Sequence, residues 1–322
     1  MLLMLQKNLH RLLSLVIIAG LIGCSKADEG WERVYENIVT VSLYSMSFAD
    51  RENGWISGKD GYLIHTKDGG ASWELQESGV KGNLRSIFFT DKDNGWAAGD
   101  DGIIIHTLDG GRQWIKDASK IVDPLYSVYF VDKNIGWAAG AFGALIHTED
   151  GGTSWSSQDT GGNTLFRDMR FLDSKKGWLV GERGSILHTV DGGKTWSRQD
   201  SGTENHLEAI FFLDEKNGWI AGKGGTIFET KDGGAKWVRL DTGTDAWIFD
   251  IFFVDKNRGW ISAPFGVLFH TEDGGKSWKK QKIGTINYLY RIFFTGPDEG
   301  WVVGSFGVIL HTKTGGRGKI DG

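Results

Sequence analysis

Three sets of side chains in this sequence are of types that do chemistry. Six histidines, His65, His106, His147, His188, His270 and His311, share one local context, and a set of histidines suggests metal ligation. Six aspartates, Asp68, Asp109, Asp150, Asp191, Asp232 and Asp273, each follow a His-Thr or, at Asp232, Glu229-Thr230; carboxylates in number suggest calcium or paired acid–base catalysis. The third set mixes Arg85, Arg167 and Arg291 with Tyr126, Tyr290, Asp168, Glu208 and Asp250. Arginines can clamp a carboxylate, and a tyrosine beside a carboxylate can act as a nucleophile. Whether any set acts depends on which members the fold brings together.

The elements that carry them repeat. Gly-Trp occurs at Gly54, Gly95, Gly136, Gly177, Gly218, Gly259 and Gly300, each 41 residues after the last. One unit reads as four strands: Leu84–Phe89, Gly95–Gly99, Ile103–Thr107 and Trp114–Asp117. The turns between them carry Asp-Lys-Asp-Asn-Gly, Asp-Asp-Gly and Asp-Gly-Gly, residues that tolerate left-handed backbone. Four short strands at this period describe a propeller blade, so the chain is expected to be an all-β, seven-bladed β-propeller. Six units carry a tryptophan after Asp-Gly-Gly (Trp73, Trp114, Trp155, Trp196, Trp237, Trp278), whereas the last has Lys319 there. Trp31-Glu-Arg-Val34 resembles the missing strand, so the N-terminal strand should complete the last blade and close the ring.

A ring of seven decides most of the chemistry. Blades stand about 51° apart by symmetry, and the third strand lies away from the axis. The histidines therefore cannot converge on a metal, and the aspartates cannot pair; both sets are read as structural. No metal or cofactor is expected. Function belongs where the copies differ. The loops that enter each blade share a face with the turns between second and third strands. On that face lie the partner-binding candidates Arg85, Tyr126, Phe142, Arg167, Arg183 and Trp247, together with Phe249, Phe265, Tyr288, Tyr290, Arg291 and Phe306. Exposed aromatics and arginine suit an interface. Every spacing from fourth-strand tryptophan to the next first strand is 11 residues, so no blade carries the long insertion that builds a substrate pocket. No catalytic residue is assigned.

Composition agrees. The 322 residues include 48 glycines, 15 tryptophans and only 3 prolines, a pattern of tight turns around an aromatic core. A net charge of −5 gives no field for nucleic acid. The one cysteine, Cys24, excludes an internal disulfide. It ends Leu21-Ile22-Gly23-Cys24, after a basic start (Lys7, Arg11) and an uncharged run from Leu12. This resembles a bacterial lipobox: residues 1–23 read as a lipoprotein signal peptide, 24–30 as a tether and 31–322 as the propeller. Cleavage would move the net charge to −7, and lipid on Cys24 would anchor the chain to a membrane. The expected location is extracytoplasmic: periplasm, thylakoid lumen or cell surface.

Two resemblances sharpen this reading. His65-Thr66-x-Asp68-Gly69-Gly70-x-x-Trp73 and its copies resemble the Asp-box of sialidases and other propellers. The whole repeat, Phe-x-Asp…Gly-Trp…Gly…His-Thr-x-Asp-Gly-Gly-x-x-Trp in seven copies behind a lipoprotein leader, resembles the photosystem II assembly-factor propellers and their bacterial relatives. That resemblance implies a non-catalytic scaffold that binds partner proteins of a membrane complex; the chain is expected to be a monomer. It also implies an arginine-rich binding patch; here Arg85, Arg167 and Arg291 begin first strands, and the other blades lack arginine there. The alternative is a glycan-binding or sialidase-like glycoside hydrolase propeller using Arg85, Arg167, Arg291, Tyr126 or Tyr290 and a nearby acid.

Overall fold

The computed structural model describes residues 30–34 and 40–317. Cys24, the leader and Lys319 lie outside the described residues. Seven four-stranded antiparallel sheets form seven blades. In blade 2 the strands are Leu84–Phe89, Gly95–Gly99, Ile104–Thr107 and Ile115–Lys116, running outward from the channel. The ring closes as expected: Glu32 pairs with His311 and Arg33 with Leu310, so Glu32–Arg33 is the outer strand of blade 7.

The repeat motif builds an aromatic relay between blades. The last phenylalanine of each first strand lies opposite the glycine of Gly-Trp in its own blade, as Phe89 does with Gly95. A Cβ on Gly95 would sit 2.3 Å from the Phe89 ring, and one on Gly54 would sit 2.3 Å from Phe48. Gly95 ends the Asp-Lys-Asp-Asn-Gly turn and opens the second strand as expected, but what requires glycine there is this close approach and not a left-handed backbone. The tryptophan of the preceding blade then covers the exposed ring face. Trp55 stacks on Phe89, Trp96 on Phe130 and Trp137 on Phe171, each at 3.6 Å. The series continues through Trp178–Phe212, Trp219–Phe253 and Trp260–Phe294, and returns to its start at Trp301–Phe48, 5.7 Å apart. All seven of these tryptophans are essentially inaccessible to solvent.

The fourth-strand tryptophans serve the same rings from the side. Trp114 meets Phe89 edge-on, as Trp73 meets Phe48 and, across the seam, Trp31 meets Phe294 at 6.1 Å. Four of their indole nitrogens reach the previous blade: Trp114 Nε1 donates to Gln76 Oε1, Trp155 Nε1 to Asp117 Oδ2, Trp237 Nε1 to Gln199 Oε1 and Trp31 Nε1 to Gln281 Oε1. Val34 stands at the equivalent place in blade 7, and the buried Trp73 Nε1 has no hydrogen-bond partner.

The Asp-box is a turn device in every blade that has it. Thr66 Oγ1 donates to Asp68 Oδ1 and accepts from the Gly70 N–H, while the Ser72 N–H donates to Asp68 Oδ1. The pattern repeats at Asp109, Asp150, Asp191, Asp232 and Asp273. Backbone and hydroxyl donors stabilise the charged form. They hold the carboxyls of Asp191 and Asp273 down at about 2.

Two outcomes follow. Trp31→Ala removes the last edge contact and the hydrogen bond that fasten the N-terminal strand. It should cost about 3–5 kcal/mol in urea unfolding; a loss under about 1 kcal/mol would mean the seam does not need this strand. The Asp-box carboxyls have folded pKa values below their unfolded ones, so the stability they give is present above pH ~4 and lost as pH falls toward 2. A thermal scan between pH 5 and pH 2 should show that decline, and replacing Asp191 and Asp273 with Asn should flatten it.

Candidate functional site

The axis of the ring opens on the entry-loop face as a funnel of about 420 Å³. Its lining comes from the second and third residues of the innermost strands, which a backbone irregularity aims there, and in blade 6 from Trp247 and Phe249 just before the strand. Register shifts between Leu43 and Ser45, Leu84 and Ser86, Leu125 and Ser127, and likewise in blades 4, 5 and 7. Simple strand alternation would send neighbouring side chains to opposite faces. The bulge lets both face the axis: Arg85 and Ser86 line the funnel together, as do Tyr44 with Ser45 and Tyr290 with Arg291.

The outer tier of the funnel is a ring of aromatic and charged groups in mutual contact. The Arg85 guanidinium lies over Tyr44 at 5.3 Å and Tyr126 at 5.4 Å, and Arg167 lies over Tyr126 at 4.9 Å. Arg167 Nε is 3.3 Å from Glu208, which also accepts from Trp247 Nε1 at 3.0 Å. Trp247 meets Phe249 at 5.5 Å, Phe249 meets Tyr290 at 5.6 Å, and Tyr290 meets Tyr44 at 5.7 Å, completing the circle. Burial pushes the Tyr44 and Tyr290 hydroxyls above their ordinary range. Burial disfavours the Arg85 charge, but the Asp100 carboxylate overrides it and raises the pKa.

The inner tier stitches blades together. Innermost strands have N–H groups that no further strand can satisfy. Ser45 Oγ accepts from Ile87 N–H, Ser86 Oγ from Val128 N–H, Asp168 Oδ2 from Ile210 N–H and Asp250 Oδ2 from Ile292 N–H. Arg291 Nη1 sits between the two acids, 3.5 Å from Asp250 and 3.7 Å from Asp168. Burial pushes the Asp250 carboxyl up to about 6, against the pull of Arg291.

The candidates thus separate into two groups. Arg85, Tyr126, Arg167, Trp247, Phe249, Tyr290 and Arg291 line the funnel. Arg291 is one residue deeper than Arg85 and Arg167 and belongs to the stitching tier. Phe142, Arg183, Phe265 and Phe306 stand instead at the tips of the turns between second and third strands, and Tyr288 bridges the groups, 5.2 Å from Phe265 and 6.3 Å from Tyr290. Sequence reasoning missed Tyr44 as a lining residue, although it shares the register of Arg85 and Tyr126, and missed Asp100, which grips Arg85 at 2.5 Å.

This geometry bears on each chemistry raised above. The three arginines already hold carboxylates, Arg85 on Asp100, Arg167 on Glu208 and Arg291 on Asp250 and Asp168. They are not free to form the clamp of a sialidase-like site. The histidines are dispersed: five stack on tryptophans of their own blades, such as His65 on Trp55 at 4.3 Å and His311 on Trp301 at 3.7 Å, and His106 pairs with the Asp117 carboxylate. Burial lowers His65 and His311 to about 4, so they are neutral at pH 7. Among the described residues no group of three or more His, Cys, Asp or Glu side chains could hold a metal ion.

Comparison with known proteins gives a consistent result. The family model described as "Photosynthesis system II assembly factor YCF48" matches residues 24–118, 154–245 and 236–319. No curated protein sequence matches the chain. Among solved structures, "YCF48 bound to D1 peptide" is 24% identical, with a TM-score of 0.75 over 88% of this chain and 97% of that one. YCF48 from Cyanidioschyzon merolae is 23% identical, with a TM-score of 0.73 over 88% and 98%. A streptogramin B lyase structure has a TM-score of 0.76 at 12% identity, over 89% and 99%. The same wheel therefore occurs in an enzyme, and fold alone does not assign a role.

The inner tier makes a prediction with a definite sign. The folded pKa of Asp250 is raised, so its contribution favours folding below pH ~4 and is lost as pH rises through 6. Asp250→Asn mimics the protonated form and keeps an acceptor for Ile292. At pH 8 it should be more stable than the parent by up to roughly 3 kcal/mol. The gap should close near pH 4. A variant less stable than the parent at pH 8 would show that the Arg291 ion pair outweighs the burial cost.

Proposed function

The chain belongs to the family of the photosynthesis system II assembly factor YCF48, and from that premise we propose that it is a non-enzymatic scaffold for partner proteins of a membrane complex. In a photosynthetic organism that complex is photosystem II. The proposal includes a lipid on Cys24, a monomeric propeller and an extracytoplasmic location at the periplasm, thylakoid lumen or cell surface.

One observation carries the reading: the funnel mouth presents half-exposed aromatics beside arginines whose charges are already balanced. Such a surface offers flat apolar faces and residual donors to a polypeptide. It lacks the free, converging charges that orient a small anionic substrate. Differences between blades concentrate there, while the relay and the Asp-boxes repeat. A family structure carrying a D1 peptide supports the same class of partner.

The test is capture. The protein immobilised on resin should retain D1 or a synthetic D1 peptide. Tyr126→Ala with Trp247→Ala should cut retention at least about tenfold. Both side chains lie partly in solvent, so the melting temperature should fall by no more than a few degrees. Undiminished capture by the double variant would refute the assignment to this face.

A further inference from the structure

Gly30 and Arg317 lie together on the face of the wheel opposite the funnel. The strand Glu32–Arg33 pairs antiparallel with the third strand of blade 7, and the Val34 N–H donates to Ile309 O. Val34 therefore lies toward the entry-loop face, on the side of the turn that carries Phe306, and Gly30 lies at the Asp-box face. The packing agrees: a Cβ on Gly30 would sit 2.4 Å from Arg317 O and 2.5 Å from Thr314 Oγ1. Both belong to the turn that follows His311-Thr312. Blade 7 is also the blade whose turn lacks the Asp-box carboxylate. Thr314 stands there, and its Oγ1 donates to Arg317 O at 2.6 Å.

Gly30 is six residues after Cys24. A fully extended chain of that length reaches about 20 Å. The innermost strand of the same blade, Leu289–Phe294, spans about 20 Å by itself, and the loops at both ends add to the depth of the wheel. A lipid on Cys24 is thus confined to the Asp-box side of blade 7. Bringing the funnel, or the exposed Phe265, Ile286 and Phe306, onto the bilayer would stretch the tether taut along the whole outer edge, at the cost of its conformational entropy. Charge does not favour either pose. Around the exit Arg258 and Arg317 hold Asp298, Arg258 also holds Asp255, and the exposed Arg51 and Lys313 stand with Glu52 and Glu299. The signs balance, so the tether is left to set the orientation.

We infer that the tether orients the wheel: the Asp-box side of blade 7 is turned toward the bilayer that holds the lipid, and the funnel is turned away from it. The inference rests on the proposed lipid on Cys24 and adds a second interaction surface, whose partner is a layer of lipid headgroups. It leaves the funnel mouth open to partner segments that stand clear of the bilayer.

The experiment uses the full lipidated protein in phosphatidylcholine vesicles whose headgroups carry a nitroxide quencher. Cys24 is the one cysteine, so once it is acylated an introduced cysteine is the only thiol to label. Lys313→Cys and Phe306→Cys place a bimane fluorophore at exposed positions on opposite faces of blade 7. With the depth of a strand between them, the label at position 313 should lose at least about three times as much emission as the label at position 306. Inserting about 20 Gly/Ser residues after Lys26 adds a coil of roughly 25 Å and should bring the two losses close to equal. Equal quenching in the parent tether, stronger quenching at position 306, or a contrast that the insertion leaves unchanged would overturn the inference. Mass spectrometry of the parent keeps the two readings apart. A protein without lipid on Cys24 would sink both, whereas a lipidated protein quenched equally at both positions would sink this one alone.

Discussion

Each phenylalanine that ends a first strand is clamped between the glycine of its own blade and the tryptophan of the blade before. That contact is the joint between blades. It needs a missing side chain on one side and a flat indole on the other, which is why Gly and Trp recur as a pair. Seven such joints must close without remainder, from Trp55 on Phe89 round to Trp301 on Phe48. The N-terminal strand contributes Trp31 to the edge of the last joint, so both chain ends are fixed by one aromatic cluster with Phe294 and Trp260. Opening the seam would expose that cluster and two sheet edges together.

Because the joints absorb the repeated residues, the residues free to differ are those at the ends of the innermost strands and in the turns above them. Bulges turn two consecutive side chains of most first strands toward the axis. In blades 1, 2 and 4 the inner one, Ser45, Ser86 or Asp168, accepts an unsatisfied N–H of the next blade, and the outer one meets solvent. Stitching residues and funnel-lining residues therefore occupy adjacent positions on one strand. Arg291 illustrates the boundary: beside Tyr290 in sequence, it serves the stitching tier through Asp168 and Asp250.

Much of this was legible before any coordinates. The spacing of Gly-Trp gives the blade count, Trp31 gives the closure, and the shared register of His65 and its copies removes them from catalysis. The contents of the mouth were named largely by position, since Arg85, Tyr126 and Tyr290 stand where the blades disagree. Three things were not legible, for physical reasons. The reason for Gly95 was hidden because close approach of a ring leaves no mark on the sequence beyond the glycine itself. The bulges could not be read, since one extra residue in a strand does not alter the 41-residue period. The ion pairs that neutralise the mouth, such as Arg85 with Asp100, join residues whose proximity depends on those bulges.

The claim at the centre is that repeated residues hold the wheel together while unlike residues on one face do the binding. Hydrogen exchange of the protein with and without added D1 peptide tests this most directly. The account predicts added protection at the funnel mouth, in residues 44–45, 126–127, 247–249 and 290–291, with the Asp-box turns unchanged. Protection confined to the Asp-box turns around Asp68, Asp109 and Asp150, with the entry-loop face unaltered, would contradict it.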